Sequence, residues 1–236
     1  MKFLLGRIKG QMWFLPICLM VLNCCKIVNW GKENFRQTSQ YSQKFIHSAK
    51  TFIRSIKVYD QFSTAATFDV MLLSDSMRQL YVDYFKKSHG LSDDQEEIKR
   101  QHQKNENKYF ISFYVVATQK ERLYTTNKAL FSGEYQIASD DILGQKDSEW
   151  SVRMIVGGRE YYPESIQSVE LPIEYRQLFG FAFNQFSTVY LVRFSTKDKK
   201  NEPILEFNKK SSIILRFSSS LYQTDISWKN ILYNIE

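Results

Sequence analysis

After Lys108 the apolar residues of this chain change their period. Between Ser74 and Lys87 they recur at three- and four-residue steps, and from Tyr109 onward they alternate with a period of two. Successive side chains of a strand point to opposite faces, so alternation of this kind buries an apolar row only when the segments pair into sheets. Tyr109 to Thr118 is a long apolar run suited to a central strand. Trp150 to Val156, the pair Gly157-Gly158 and Arg159 to Tyr162 read as a hairpin, because paired glycines supply the positive φ of tight primed turns. Ser165 to Leu171, Ser187 to Phe194, Ser211 to Phe217 and Leu221 to Trp228 are further strands. Pro172 and Gly180 bracket a single helical turn, Ile173 to Phe179.

Upstream of the switch, the first credible strand is Thr51 to Asp60. Phe52, Arg54, Ile56 and Val58 share one of its faces, and Ile53, Ser55, Lys57 and Tyr59 the other, so neither row is purely apolar. Two helices follow. Ser74-Asp75-Ser76 can cap the first, which carries Met77, Leu80, Tyr81, Tyr84 and Phe85 and stops at Gly90. Ser92 with Gln95 forms a capping box for the second, and Asp93, Asp94, Glu96 and Glu97 favour the positive end of its dipole. Ile98 is nearly its sole apolar residue, which predicts a helix riding on the surface. The chain therefore reads as mainly β (α+β): an antiparallel β-sandwich with an inserted two-helix segment at about 74–106, a half-open barrel being the rival arrangement.

The N-terminus carries an address. Lys2, Arg7 and Lys9 precede an eleven-residue apolar tract, Met12 to Leu22, which is followed by Asn23-Cys24-Cys25. A membrane-spanning helix needs about 20 apolar residues and a signal core about 7–15, so the length predicts an export signal. The segment resembles the lipobox of bacterial exported lipoproteins, where an aliphatic residue three positions upstream and a small residue just before mark the cysteine to be acylated. Val21-Leu22-Asn23-Cys24 matches at its first position and has Asn where that pattern has Gly or Ala. Leu22-Asn23-Cys24-Cys25 has the preferred Leu but a Cys before the cut. The resemblance implies diacylglycerol on Cys24, with Cys25 the alternative, and so a protein anchored in lipid at the bacterial cell envelope. An uncleaved anchor or plain secretion, and an intracellular protein with an amphipathic start, are the competing readings.

On this division residues 1–23 are a signal peptide, 24–50 a polar tether and 51–236 a single sandwich-like domain. The mature part is similar to exported bacterial proteins of unassigned function, a likeness that transfers no residue role. The cysteines Cys18, Cys24 and Cys25 all lie near the start, so the domain can build no disulfide, thiolate-zinc site or thiol nucleophile.

The charge excludes little but excludes it usefully. Three of the net +7 charges belong to Lys2, Arg7 and Lys9. The densest basic points beyond, Lys197-Asp198-Lys199-Lys200 and Lys209-Lys210, read as hairpin turns, so no nucleic-acid partner is expected. His47, His89 and His102 stand apart without metal-ligand spacing, and His89 is suited to a helix C-terminus. Asp140, Asp141, Asp147 and Glu149 gather as calcium ligands can, but Lys146 sits among them and their spacing follows no ligand register, which favours a polar loop. No cofactor, metal or catalytic set is assigned. Tyr161, Tyr162, Phe179, Phe181, Phe183 and Phe186 supply core, or in part a rim for a ligand, glycan or envelope protein. The reading is a binding or scaffolding lipoprotein. An extracytoplasmic hydrolase with carboxylate acid and base groups from separate strands is the alternative.

Overall fold

The computed structural model describes residues 42–60, 63–119, 142–144, 148–205 and 211–231. Strands β1 (Ile53–Asp60), β2 (Ser63–Leu72), β3 (Phe110–Gln119), β4 (Ser151–Val156), β5 (Arg159–Tyr161), β6 (Ser165–Ser168), β7 (Thr188–Ser195), β8 (Ser211–Ser218) and β9 (Gln223–Ile231) form two sheets. One is five-stranded in the order β1-β2-β3-β7-β6, the other four-stranded in the order β5-β4-β8-β9. Every ladder between these strands is antiparallel. The protein is thus mainly β, an antiparallel sandwich with helices added.

Helices α1 (Asp75–His89) and α2 (Asp93–Tyr109) connect the paired strands β2 and β3. Their ends follow the local chemistry. Ser74 Oγ accepts the Met77 N–H at 3.3 Å, and Gly90 closes α1 at φ 65°. The capping box forms in full, the Gln95 N–H donating to Ser92 Oγ and the Ser92 N–H donating to Gln95 Oε1. Arg78, buried on α1, donates from Nε to Asn107 Oδ1 of α2 at 2.6 Å and from Nη1 to Gln103 Oε1 at 2.5 Å. That polar bolt joins two helices of unequal apolarity. Ile98, on α2, is 71% exposed, as expected of a surface helix. A short third helix, α3 (Ile173–Phe179), precedes β7.

The two sheets enclose one core. Ala66, Phe68, Val70 and Leu72 of β2 and Ile111, Phe113, Val115 and Ala117 of β3 face Met154, Leu215, Phe217 and Trp228 of the other sheet. The Phe68 and Phe217 rings stack at 4.2 Å, and the Trp150 ring meets Phe68 edge-on at 5.1 Å. A second core lies on the opposite face of the five-stranded sheet. Met71, Val116 and Val189 pack there against Met77, Tyr81 and Val82 of α1 and Tyr175, Leu178 and Phe179 of α3. The architecture is therefore three-layered: helices, five-stranded sheet, four-stranded sheet.

Two expectations shift. Strand β2 has no counterpart in the sequence reading. Its outer row includes Met71 because that face is also covered, and Ala65 and Ala66 weaken the pattern, so simple alternation does not stand out. Of the segment 24–50 expected as a tether, residues 24–41 lie outside the described residues, and Phe45 and Ala49 are buried in the second core, where Phe45 stacks on Tyr84 at 4.2 Å. Phe45 opens the compact unit that holds both sheets. Gly157 and Gly158 make the hairpin turn with φ 56° and 79°, as a primed turn demands. The basic cluster at 197–200 is a turn organised by Asp198, whose Oδ1 accepts the Lys200 and Glu202 N–H groups. Lys209-Lys210 lies outside the described residues.

Candidate functional site

The edge strands of the two sheets, β1 and β9, meet at one end of the sandwich without pairing. Trp228 Nε1 of β9 donates at 3.1 Å to the carbonyl of Phe52, the residue just before β1. At this seam the chain leaves an open groove of about 330 Å³. Leu72 and Trp228, both buried, form its apolar floor, with Phe52 and Ile231 beside them. Ser74 and Ser76, at the first turn of α1, form one wall, and Thr51 another. Arg54 and Lys229 supply the charge; both are exposed, and among the described residues no carboxylate lines the groove.

The local sequence explains why a cavity forms there. On β1 the register places Ile56 opposite Phe68 and Arg54 opposite Val70, in the row that points between the sheets. Ile56 packs on the core. Arg54 is one step nearer the strand's start and too polar to be sealed in, so the sandwich stays open around it. Ser74 Oγ is committed to its cap; Ser76 is exposed.

A second cluster of titratable groups lies beneath the helices. The Tyr81 and Tyr175 rings approach to 4.6 Å, and Tyr114 and Tyr175 to 5.5 Å. Burial first, then the charge of Glu174 and the neighbouring Tyr114, pushes the Tyr81 hydroxyl up to about 12. Burial raises Tyr114 and carries Tyr175 well above the ordinary phenol value. Three phenols held neutral at physiological pH supply packing rather than a base.

The individually named residues fall in different places. His47 and His102 are exposed on separate helices. His89 stacks on Phe85 at 3.9 Å, and its Nε2 lies 3.7 Å from Glu174 Oε1, so it ties the end of α1 to α3. Glu149 accepts a hydrogen bond from Gln119 Nε2; Asp140, Asp141 and Asp147 lie outside the described residues, as do Cys24 and Cys25. Among the described residues no group of three or more His, Cys, Asp or Glu is set to hold a metal ion. The aromatic set divides. Phe179 is buried, Tyr161, Phe183 and Phe186 are half-buried, Tyr162 is 71% exposed and Phe181 fully exposed at 102%. Only Tyr162 and Phe181 stand clear as rim residues, and they belong to different sheets' surroundings.

Sequence reasoning missed the groove because Leu72 and Trp228 are distant in the chain. One signal was present: Arg54 interrupts the row Phe52, Ile56 and Val58. No described helix is long and apolar enough to cross a membrane. No known family model matches the chain, and no curated protein matches it.

Proposed function

We propose that this protein is a lipoprotein of the bacterial cell envelope, anchored through an acylated Cys24 or, in the alternative register, Cys25, and that it works by binding at the seam groove. The observation that carries a binding role is the groove itself: an open apolar floor under two cations, with no carboxylate among the described residues that line it. Acid–base hydrolysis of the kind weighed from sequence would require two carboxyl groups around one cavity. The groove instead offers fixed apolar surface and charge, which suits recognition. The anchor rests on the basic start, the eleven-residue apolar tract and the paired cysteines.

The anchor is tested by expressing the full chain in a bacterial host with radiolabelled palmitate. Label on the protein and its recovery with membranes are expected, with Cys24→Ala removing most of the label. The variant carrying both Cys24→Ala and Cys25→Ala should be unlabelled and released. Label persisting on that double variant, or its retention in membranes, overturns the anchored reading.

A further inference from the structure

Arg54 is out of place for a residue serving only the fold. It occupies the inward-pointing row of an edge strand, over the buried Leu72 and Trp228. Its Nη1 donates to the adjacent Ile53 carbonyl at 2.9 Å, and among the described residues the rest of the guanidinium fork has no hydrogen-bond partner. Among the described arginines, Arg100, Arg153, Arg176, Arg193 and Arg216 each hold a carboxylate within 3.2 Å and Arg78 donates to the Asn107 and Gln103 side-chain oxygens, whereas Arg159, exposed at the start of β5, has no carboxylate partner among the described residues. Among the described residues no carboxylate pairs with Arg54 or with Lys229.

We infer that the seam groove binds a small oxyanion, a phosphate or carboxylate group, carried on a short apolar body. This rests on the binding reading above and names its ligand class. A guanidinium presents parallel N–H donors that match two oxygens of such a group, and Lys229 adds a compact positive charge to the same space. The floor takes the apolar part. The Trp228 indole is already fixed by its bond to the Phe52 carbonyl, so little ordering accompanies binding. A cavity of about 330 Å³ holds a short body rather than a long chain. The cations are exposed, so affinity falls as salt is added. An inward charge on an edge strand also deters edge-to-edge pairing of sheets; ligand measurements separate that role from recognition.

The experiment is calorimetry on the full chain in phosphatidylcholine nanodiscs, titrated with hexyl phosphate, hexanol and inorganic phosphate. Hexyl phosphate should bind, with hexanol and inorganic phosphate each at least about tenfold weaker, since each lacks one half of the recognised group. Arg54→Gln and Lys229→Gln should each weaken hexyl phosphate about tenfold, as loss of a charge-assisted contact does. Arg54→Lys should retain part of the affinity. Ser76→Glu places a repelling charge on the rim while favouring the first turn of α1, so it should abolish binding in a protein that still folds. Displacement of hexyl phosphate by phosphatidylglycerol added to the nanodiscs would assign the oxyanion to a lipid headgroup; undiminished binding would assign it to a soluble ligand. Equal binding of hexanol overturns the inference, as does unchanged affinity in Ser76→Glu or an equal loss in Arg159→Gln, a cation at the start of β5 on the far edge of the four-stranded sheet. Palmitate labelling reads the anchor separately, so failure of either result leaves the other standing.

Discussion

The two sheets differ in what covers their outer faces. On the five-stranded sheet that face carries Met71, Val116 and Val189 and lies under α1 and α3. On the four-stranded sheet no helix covers that face among the described residues, and its β4, β8 and β9 strands place charge there. Arg153 and Arg216 stand opposite each other in the β4–β8 ladder, and Arg216 stands opposite Asp225 in β8–β9. Glu160 accepts from both arginines, at 2.9 and 3.4 Å, and Asp225 takes a forked bond from Arg216 at 2.8 Å on each oxygen. Two like charges side by side would repel, and the flanking carboxylates offset that. The lesson concerns sheets generally: the same alternating backbone accepts a second apolar row or a salt-bridged row, according to what is available to cover it.

The largest test of this contrast puts a carboxylate on each outer face. Val116→Asp buries an unpaired charge between sheet and helices and should cost about 4 kcal/mol or more, enough to prevent folding. Ile214→Asp, on the half-buried outer face of β8, should cost about 1 kcal/mol. Urea unfolding of both decides it, and equal costs would break the comparison. A smaller effect separates the two long helices. Met77→Ala removes a fully buried side chain under α1 and should cost about 2–5 kcal/mol, whereas Ile98→Ala on exposed α2 should stay within about 0.5 kcal/mol.

The smallest effect is one of pH, and its sign differs between the faces. Arg216 holds the Asp225 carboxyl below the ordinary carboxylate value by donating to both its oxygens, against a lesser opposing effect of burial. A lowered folded value means stability present above the unfolded value, about 4, and lost as pH falls through the folded one. Asp69, on β2, is shifted the other way. Burial raises it, while a hydrogen bond from Ser55 and the charge of Lys57 pull it down less strongly. Its contribution is present below about pH 4 and is lost as pH rises through the raised folded value. Asp225→Asn should therefore destabilise by under about 1 kcal/mol at pH 7 and have no effect near pH 2. Asp69→Asn should leave stability at pH 7 unchanged or slightly higher. Urea midpoints from pH 2 to 7 check this, and shifts of the same sign would remove the distinction.

How much was legible depended on how many faces an element buries. The β4–β5 hairpin was readable because Gly157-Gly158 marks the turn and one row is polar. The caps Ser74 and Ser92 were readable because each acts within one helical turn of itself. Strand β2 was not, because both its rows are partly apolar and a period of two then carries little contrast. The seam groove was not either, since its floor joins Leu72 to Trp228 across the whole domain. Arg54 was visible as an interruption, but its meaning depended on which strand edge lay opposite.

By itself the sequence determined what is local: the switch from helical to strand period at Lys108, the helix caps, the glycine turn and the apolar, cysteine-ended start from which export is proposed. These depend on residues a few positions apart, where backbone geometry and hydrogen bonding act directly. Only the tertiary structure decided that α1 and α3 cover the five-stranded sheet, that Phe45 belongs to the core, and that Arg54 and Lys229 line one groove. Those outcomes follow from which apolar surfaces find each other in space, and no spacing along the chain records that.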